Sequence, residues 1–285
     1  MSLKDILVYI DGSARSAAVI DFAMSLAGRQ SAHLTALYVI ELPSPALFYG
    51  DPGGFVDPRL IDQMMTEFRE KSMAEAARLE KHFRDRMRRD GIEGEWRIDE
   101  GLTAETVSLH ARYADLTVLG QRDPSEASLA AASDVVGTTL LSSGRPVLVF
   151  PYAGVFPAVG RSILVGWKST REAARAVNDA LPILMQADTV TVLAMNPERG
   201  IGGDGDVPAG DIALHLARHG VKASASHTVV KEIGEGDALL NYASDREADL
   251  IVAGGYGHSR TREFVFGGVT RTLLSAMTVP VFLSH

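Results

Sequence analysis

The chain has 285 residues, of which 46% are hydrophobic and 22% charged, with no cysteine and a formal net charge of −8. That length accommodates two ordinary domains, and the composition is that of a folded globular protein. Zero cysteines exclude a disulfide framework, a thiolate nucleophile and cysteine-bound zinc, and the acidic balance argues against a general nucleic-acid binder, whose affinity rests on neutralising phosphates.

The opening MSLKDILVYIDGS meets charges at Lys4 and Asp5. No run approaches the ~18 apolar residues of a bilayer span, so a cytoplasmic protein with no membrane contact is expected. In DILVYIDGSARSAAVIDFAM (5–24) an apolar strand pattern runs through a short polar turn into a helical one, and HLTALYV follows as a second strand. Residues 42–60, LPSPALFYGDPGGFVDPRL, read as an irregular loop rich in proline and glycine, with Leu47, Phe48, Tyr49 and Phe55 giving it unusual apolar content. Such a loop either folds back on its domain or serves as a lid or docking surface. The stretch 59–90 is helical in pattern, ADLTVLG (114–120) and PVLVF (146–150) are strands, and the basic RDRMRRD (84–90) complements a helix C-terminus rather than a nucleic acid.

The pattern then repeats. SILVGWKSTREAARAVNDAL (162–181) matches the first strand and helix at an offset of 157, and ADLIVAG (248–254) matches ADLTVLG at 134. The smaller offset means about 23 additional residues in the first copy, placed by sequence around 42–60. Two copies of alternating strand and helix predict an α/β fold of two doubly wound domains, residues 1–153 and 160–285. The closing strands PVLVF and PVFLS (280–284) are expected at sheet edges, where they would pair the copies as an internal pseudo-dimer.

Behind the strand LIVA stands GGYGHSRTREFVFGGVT (254–270), with five glycines in seventeen positions. Bare backbone at a strand's carboxyl end, followed by a helix start, suits a phosphate. There is no Walker spacing and no dinucleotide fingerprint. Together with ILVYIDGS, the G-x2-G-x9-G spacing of Gly254, Gly257 and Gly267, VTRTLL and the closing VPVFLSH, the chain resembles the universal stress protein family in its tandem form. The resemblance implies a five-stranded parallel sheet flanked by helices in each domain and a loop holding ATP, or AMP or ADP, with or without Mg2+.

Carried over by position, the resemblance assigns Gly254, Gly257, Gly267 and Gly268 to the phosphates, with Val269 and Thr270 at the helix start beside them; His258 lies inside the loop and either touches a phosphate or is merely solvated. Gly166, Trp167 and Met195 fall near base and ribose. The family's first-strand aspartate is Lys168 in the second copy, a charge reversal that either reaches a phosphate or pairs with a nearby carboxylate and blocks the base. The first copy keeps Asp11, Val39 and Gly120 but has Asp123 in place of the second glycine and Asp134 aligned with Gly267, so it is expected to be nucleotide-free and used for interaction with an unknown protein partner.

Other constellations read as ordinary. His215 and His219 stand one turn apart, but Gly220 ends that helix and no metal motif surrounds them. His110 is a helix residue, and Ser13, Ser169 and Thr170 read as helix-start residues without a histidine partner. Glu263 and His258 are the only loop candidates for a base, so nucleotide binding is expected over catalysis; a slow ATP hydrolase or phosphotransferase and a nucleotide-free scaffold are the alternatives.

Overall fold

The computed structural model describes residues 2–43, 57–123, 134–156, 159–197, 207–255 and 268–285. The first half runs β1 (Asp5–Ile10), α1 (Ser16–Gln30), β2 (His33–Ile40), α2 (Pro58–Asp90), β3 (Gly94–Glu100), α3 (Thr103–Ala111), β4 (Leu116–Gly120), α4 (Val135–Ser142) and β5 (Val147–Phe150). The second repeats it as β6 (Ser162–Trp167), α5 (Arg171–Leu184), β7 (Thr189–Met195), α6 (Gly210–Arg218), β8 (Ala223–Thr228), α7 (Glu235–Asp245), β9 (Leu250–Gly254), α8 (Gly268–Ala276) and β10 (Val281–Ser284).

Strands buried on both faces explain the apolar runs. In β1, Ile6, Val8 and Ile10 pack against α1 and α2, while Leu7 and Tyr9 leave the opposite face toward α3 and α4. The same two layers continue in the second half, with α5 and α6 on one face and α7 and α8 on the other. Helix α1 meets its layer through Val19, Ile20, Ala23, Met24 and Ala27, the three-and-four spacing of one helical face.

Each half contributes the five parallel strands expected, and the closing strands join the halves, as expected, into one sheet. Among the described residues the strand order is β3-β2-β1-β4-β5-β10-β9-β6-β7-β8, parallel within each half. The closing strands join antiparallel, Val281 opposite Val149 and Leu283 opposite Val147. Each supplies the ladder partner that the other's apolar edge lacks. The outer edges fall to β3 and β8, whose side chains are mostly exposed or half-buried.

One expectation is corrected. The additional length of the first copy lies in α2, 33 residues against nine in α6, and not in an enlarged loop at 42–60. The helix starts inside that stretch, with Asp57 as N-cap accepting from Arg59 N at 2.9 Å and Pro58 in the first turn. At about 50 Å it outruns the sheet it covers. The stretch 62–75 buries little and is supported by Gln63–Glu67 and by Arg69 reaching Glu100 of β3, while Glu80–Arg84 and Arg86–Asp90 pair along the more buried C-terminal half. The basic run at its end is thus engaged within the molecule, Arg86 also reaching Asp21 of α1 at 3.0 Å. The apolar loop residues Leu47, Phe48, Tyr49 and Phe55 lie outside the described residues.

Candidate functional site

The site arises where the strand order reverses. From β6 the chain steps outward to β7 and β8, then returns to place β9 on the other side of β6. The carboxyl ends of two neighbouring strands whose connections diverge leave a crevice. Here it is a cavity of about 450 Å³, within the range of small-molecule sites. Its floor is the end of β6 (Gly166, Trp167), with Lys168 just past it, Met195 of β7 and Ala253 and Gly254 of β9 beside it. Its walls are the first turns of three helices: Thr170, Glu172 and Ala173 at α5, Gly234 to Gly236 with Leu239 at α7, and Gly268 to Thr270 with Thr272 at α8.

Glycine makes this convergence possible, by packing as much as by ligand access. A Cβ on Gly254 would stand 2.6 Å from the backbone nitrogen of Ala173, so its absence lets β9 touch the first turn of α5. A Cβ on Gly236 would stand 2.6 Å from Thr272 Cβ, so α7 and α8 start side by side for the same reason. Gly166 is looser, its added Cβ meeting Leu239 Cδ2 at 3.0 Å, and its missing side chain is what keeps the floor open.

Three helix N-termini give the cavity positive potential, each about half a charge before screening. The first turn of α5 is capped locally, Thr170 Oγ1 accepting from Ala173 N at 3.3 Å. The N-cap of α7, Gly234, offers no side-chain cap. Gly268 opens α8 with free space where a Cβ would stand. Two carboxylates balance them. Burial opposes ionisation of Glu172, but Arg171, with Nε 2.5 Å from Oε1, helps hold its pKa below the usual range. Glu235 Oε1 accepts from Asn196 Nδ2 at 3.1 Å, and Asn196 Oδ1 accepts from Val230 N at 2.8 Å, tying the end of β7 to the start of α7. Lys168 is exposed at the rim.

The structure therefore brings Gly166, Trp167, Lys168, Met195, Gly254, Gly268, Val269 and Thr270 to one cavity. Gly257, His258, Glu263 and Gly267 lie outside the described residues. The α7 start, Gly234 to Gly236, was not legible as part of the site. GEGD at 234–237 was a signal, a small-residue, acidic helix entry, but only the fold carries it to β6.

At the corresponding place the first half is built differently. Tyr9 stands where Gly166 stands, on the same face of the equivalent strand. Burial first, and then the Asp11 carboxylate, push its phenol above the usual range. Both helix starts carry carboxylate caps: Glu41 Oε2 accepts from Thr103 N at 2.9 Å, and Asp134 Oδ1 from Gly137 N at 2.9 Å. Asp134 thus sits as the N-cap of α4, where burial raises its pKa against the pull of that N–H. Asp11 Oδ1 accepts from Ser13 N and Ser16 Oγ, both at 3.0 Å, so it organises the turn into α1. Val39 is buried, and Gly120 has ordinary 3.8 Å neighbours in Asp11 and Val19. Asp123 is half-buried just past Gln121, at the end of the described loop.

The remaining expectations resolve simply. His215 and His219 stack edge to face at 4.8 Å, α6 ends there, and Gly220 turns the chain at φ +82°. His110 Nε2 lies 3.1 Å from Asp99 Oδ2. Thr170 is the N-cap of α5, whereas the cap position of α1 falls on Arg15 and Ser13 Oγ accepts from its N–H at 3.3 Å. Among the described residues no group of three His, Asp or Glu side chains is placed to hold a metal.

Comparison with known proteins agrees with this architecture. The family model described as the universal stress protein family matches residues 2–151 and again 161–285. The chain belongs to that family. It is a tandem member, with two copies of the domain in one polypeptide. Among solved structures it is similar to a universal stress protein from Archaeoglobus fulgidus DSM 4304, at 17% identity over 98% of this chain and 95% of that one, with a TM-score of 0.71. It is also similar to a functionally unknown protein from Pseudomonas aeruginosa PAO1, at 15% identity over 99% and 92%, with a TM-score of 0.56. Identities this low speak for the fold alone. No curated protein matches the chain.

Proposed function

We propose that the second half, residues 160–285, is an adenine-nucleotide-binding module of a cytoplasmic stress-response protein, and that the first half, residues 1–153, is nucleotide-free and serves interaction with a protein partner. The observation that carries this reading is the cavity of about 450 Å³ at the reversal of strand order, where three helix N-termini meet. A planar base and ribose suit the floor, where Gly166 carries no side chain and Trp167 and Met195 add to the lining. An anion suits the starts of α7 and α8, which carry no side-chain cap at Gly234 and open space at Gly268. Lys168 at the rim supplies a cation to the phosphates. ATP, ADP and AMP share this chemistry, and Mg2+ would accompany a triphosphate.

Binding, with slow turnover at most, follows from the same residues. The carboxylates lining the cavity are engaged in the fold, Glu172 by Arg171 and the Thr170 hydroxyl at the start of α5 and Glu235 by Asn196, and among the described residues neither meets a histidine. No helix among the described residues is long and apolar enough to cross a membrane. Mass spectrometry of small molecules released on denaturing the purified protein tests the proposal. An adenine nucleotide in the released fraction is expected, and a preparation that releases none and binds none when ATP is added would contradict it.

A further inference from the structure

Each half holds the last helix of the other, and one of these contacts ends on the candidate site. Gln121 follows β4 directly and is only 8% exposed. Its backbone N–H donates to Phe150 O at 2.7 Å, and its Oε1 accepts from Tyr152 N at 3.1 Å. Its Nε2 donates across the interface to Leu274 O of α8 at 2.9 Å. The two side-chain partners fix the amide's orientation, since only oxygen can accept from Tyr152 and only nitrogen can donate to a carbonyl. Leu274 O belongs to the last turn of α8, where the helix itself leaves carbonyls without partners.

The arrangement is not reciprocal. Gly255 occupies the equivalent place after β9, and a Cβ there would stand 2.7 Å from Leu140 Cδ2 of α4. Leucine fills on one side what the glutamine amide fills on the other. The chain after α4 is held instead from the second half by Arg175, whose Nη2 donates to Gly144 O at 2.7 Å. Among the described residues only α8 therefore combines two features: a C-terminal turn fixed by a buried amide of the other half, and an N-terminal turn that lines the cavity. A helix of nine residues is about 13 Å long and moves as a unit, so fixing one end sets the position of the other.

We propose that Gln121 is a positioning residue for the nucleotide site, and that the first half contributes to binding in the second by holding α8 in place through this amide. The inference rests on the reading of the cavity as a nucleotide site, and its test separates the two. Gln121→Met keeps length and removes both donor and acceptor. In the full-length, ligand-free variant the amides of 268–276 should exchange with deuterium about three- to tenfold faster, the value of one hydrogen bond. ATP affinity should fall by a similar factor.

Gln121→Glu gives the more selective readout. Its carboxylate cannot donate to Leu274 O, but its protonated form can. The ratio of variant to wild-type ATP affinity should therefore recover as pH falls from about 8 to about 5, through the range where a partly buried glutamic acid titrates. The stability of this variant is itself linked to pH, so its unfolding midpoint is followed at each pH and the affinity ratio is read only where both proteins are fully folded. Unchanged exchange in α8 of Gln121→Met, or a pH-independent ratio in Gln121→Glu, would overturn the proposal. Absence of ATP binding by the wild type would instead overturn the nucleotide reading, and the exchange of α8 would still decide whether Gln121 positions that helix.

Discussion

Gly166 and Tyr9 occupy the same place on two equivalent strands, and around them one fold does opposite things. At Gly166 the sheet ends in a cavity met by the starts of α7 and α8. At Tyr9 an aromatic ring leaves the strand on the same face, and the matching helix starts, α3 and α4, are already occupied by Glu41 and Asp134. A helix N-terminus attracts an anion whether it comes from solution or from the chain itself. The first half fills these starts with carboxyl side chains of its own, Glu41 and Asp134. Duplication kept the scaffold and changed who satisfies it, which explains why the sheet and both core layers match between halves while the polar residues at this position do not.

The most disruptive way to erase this difference is Gly166→Tyr. A ring at the floor of the second site should reduce ATP affinity by about 100-fold or more, equivalent to about 2.7 kcal/mol. The ring can enter the cavity only if the Leu239 side chain, 3.0 Å from the added Cβ, shifts aside, so near-ultraviolet circular dichroism and the thermal midpoint check that the variant is folded. Calorimetric affinity within a factor of two of wild type would mean that ligand does not use this floor.

Lys168→Asp acts on charge alone. It replaces the rim cation with the residue type found at Asp11, and ATP affinity should fall several-fold, more at low salt than at high salt because the position is exposed. Tighter binding would show that the lysine obstructs the ligand rather than contacting its phosphates.

The smallest effect belongs to the first half. Asp134 has a folded-state pKa raised by burial, although its carboxylate accepts from Gly137 N. Folding therefore favours its protonated form, and the associated stability is present at low pH and lost as pH rises through the raised value. Asp134→Asn retains a capping oxygen and has no such loss. The difference in urea midpoint should shift in favour of the asparagine variant between about pH 3 and about pH 7. A shift in the opposite sense would mean that the ionised cap is the favoured folded form.

These residues also mark where sequence stops being enough. Strands buried on both faces announce themselves, and β1, β2, β4 and β5 with their counterparts were legible as apolar runs. β3 and β8 were not, because edge strands with largely exposed side chains have no such run, and GEWRIDE and ASASHT look like connections. Helix α2 was legible in type but not in its share of the length difference, since the offsets between the copies fix only the total between early and late strands and do not divide it between loop and helix. Gly254 was visible as a glycine behind a strand, yet its closest neighbour is the backbone of α5, a contact some eighty residues away along the chain. The substitution of Tyr9 for Gly166 was present in the aligned repeat. Its meaning required knowing that both positions face the helices whose first turns form the site.

Calorimetric titration of the full-length protein with ATP, alongside Gly166→Tyr, tests the asymmetry most directly. One nucleotide per chain for the wild type and none measurable for the variant is the expected result. Two equivalent sites, or one site that survives the tyrosine, would place nucleotide in the half that Tyr9, Glu41 and Asp134 fill and would contradict the assignment.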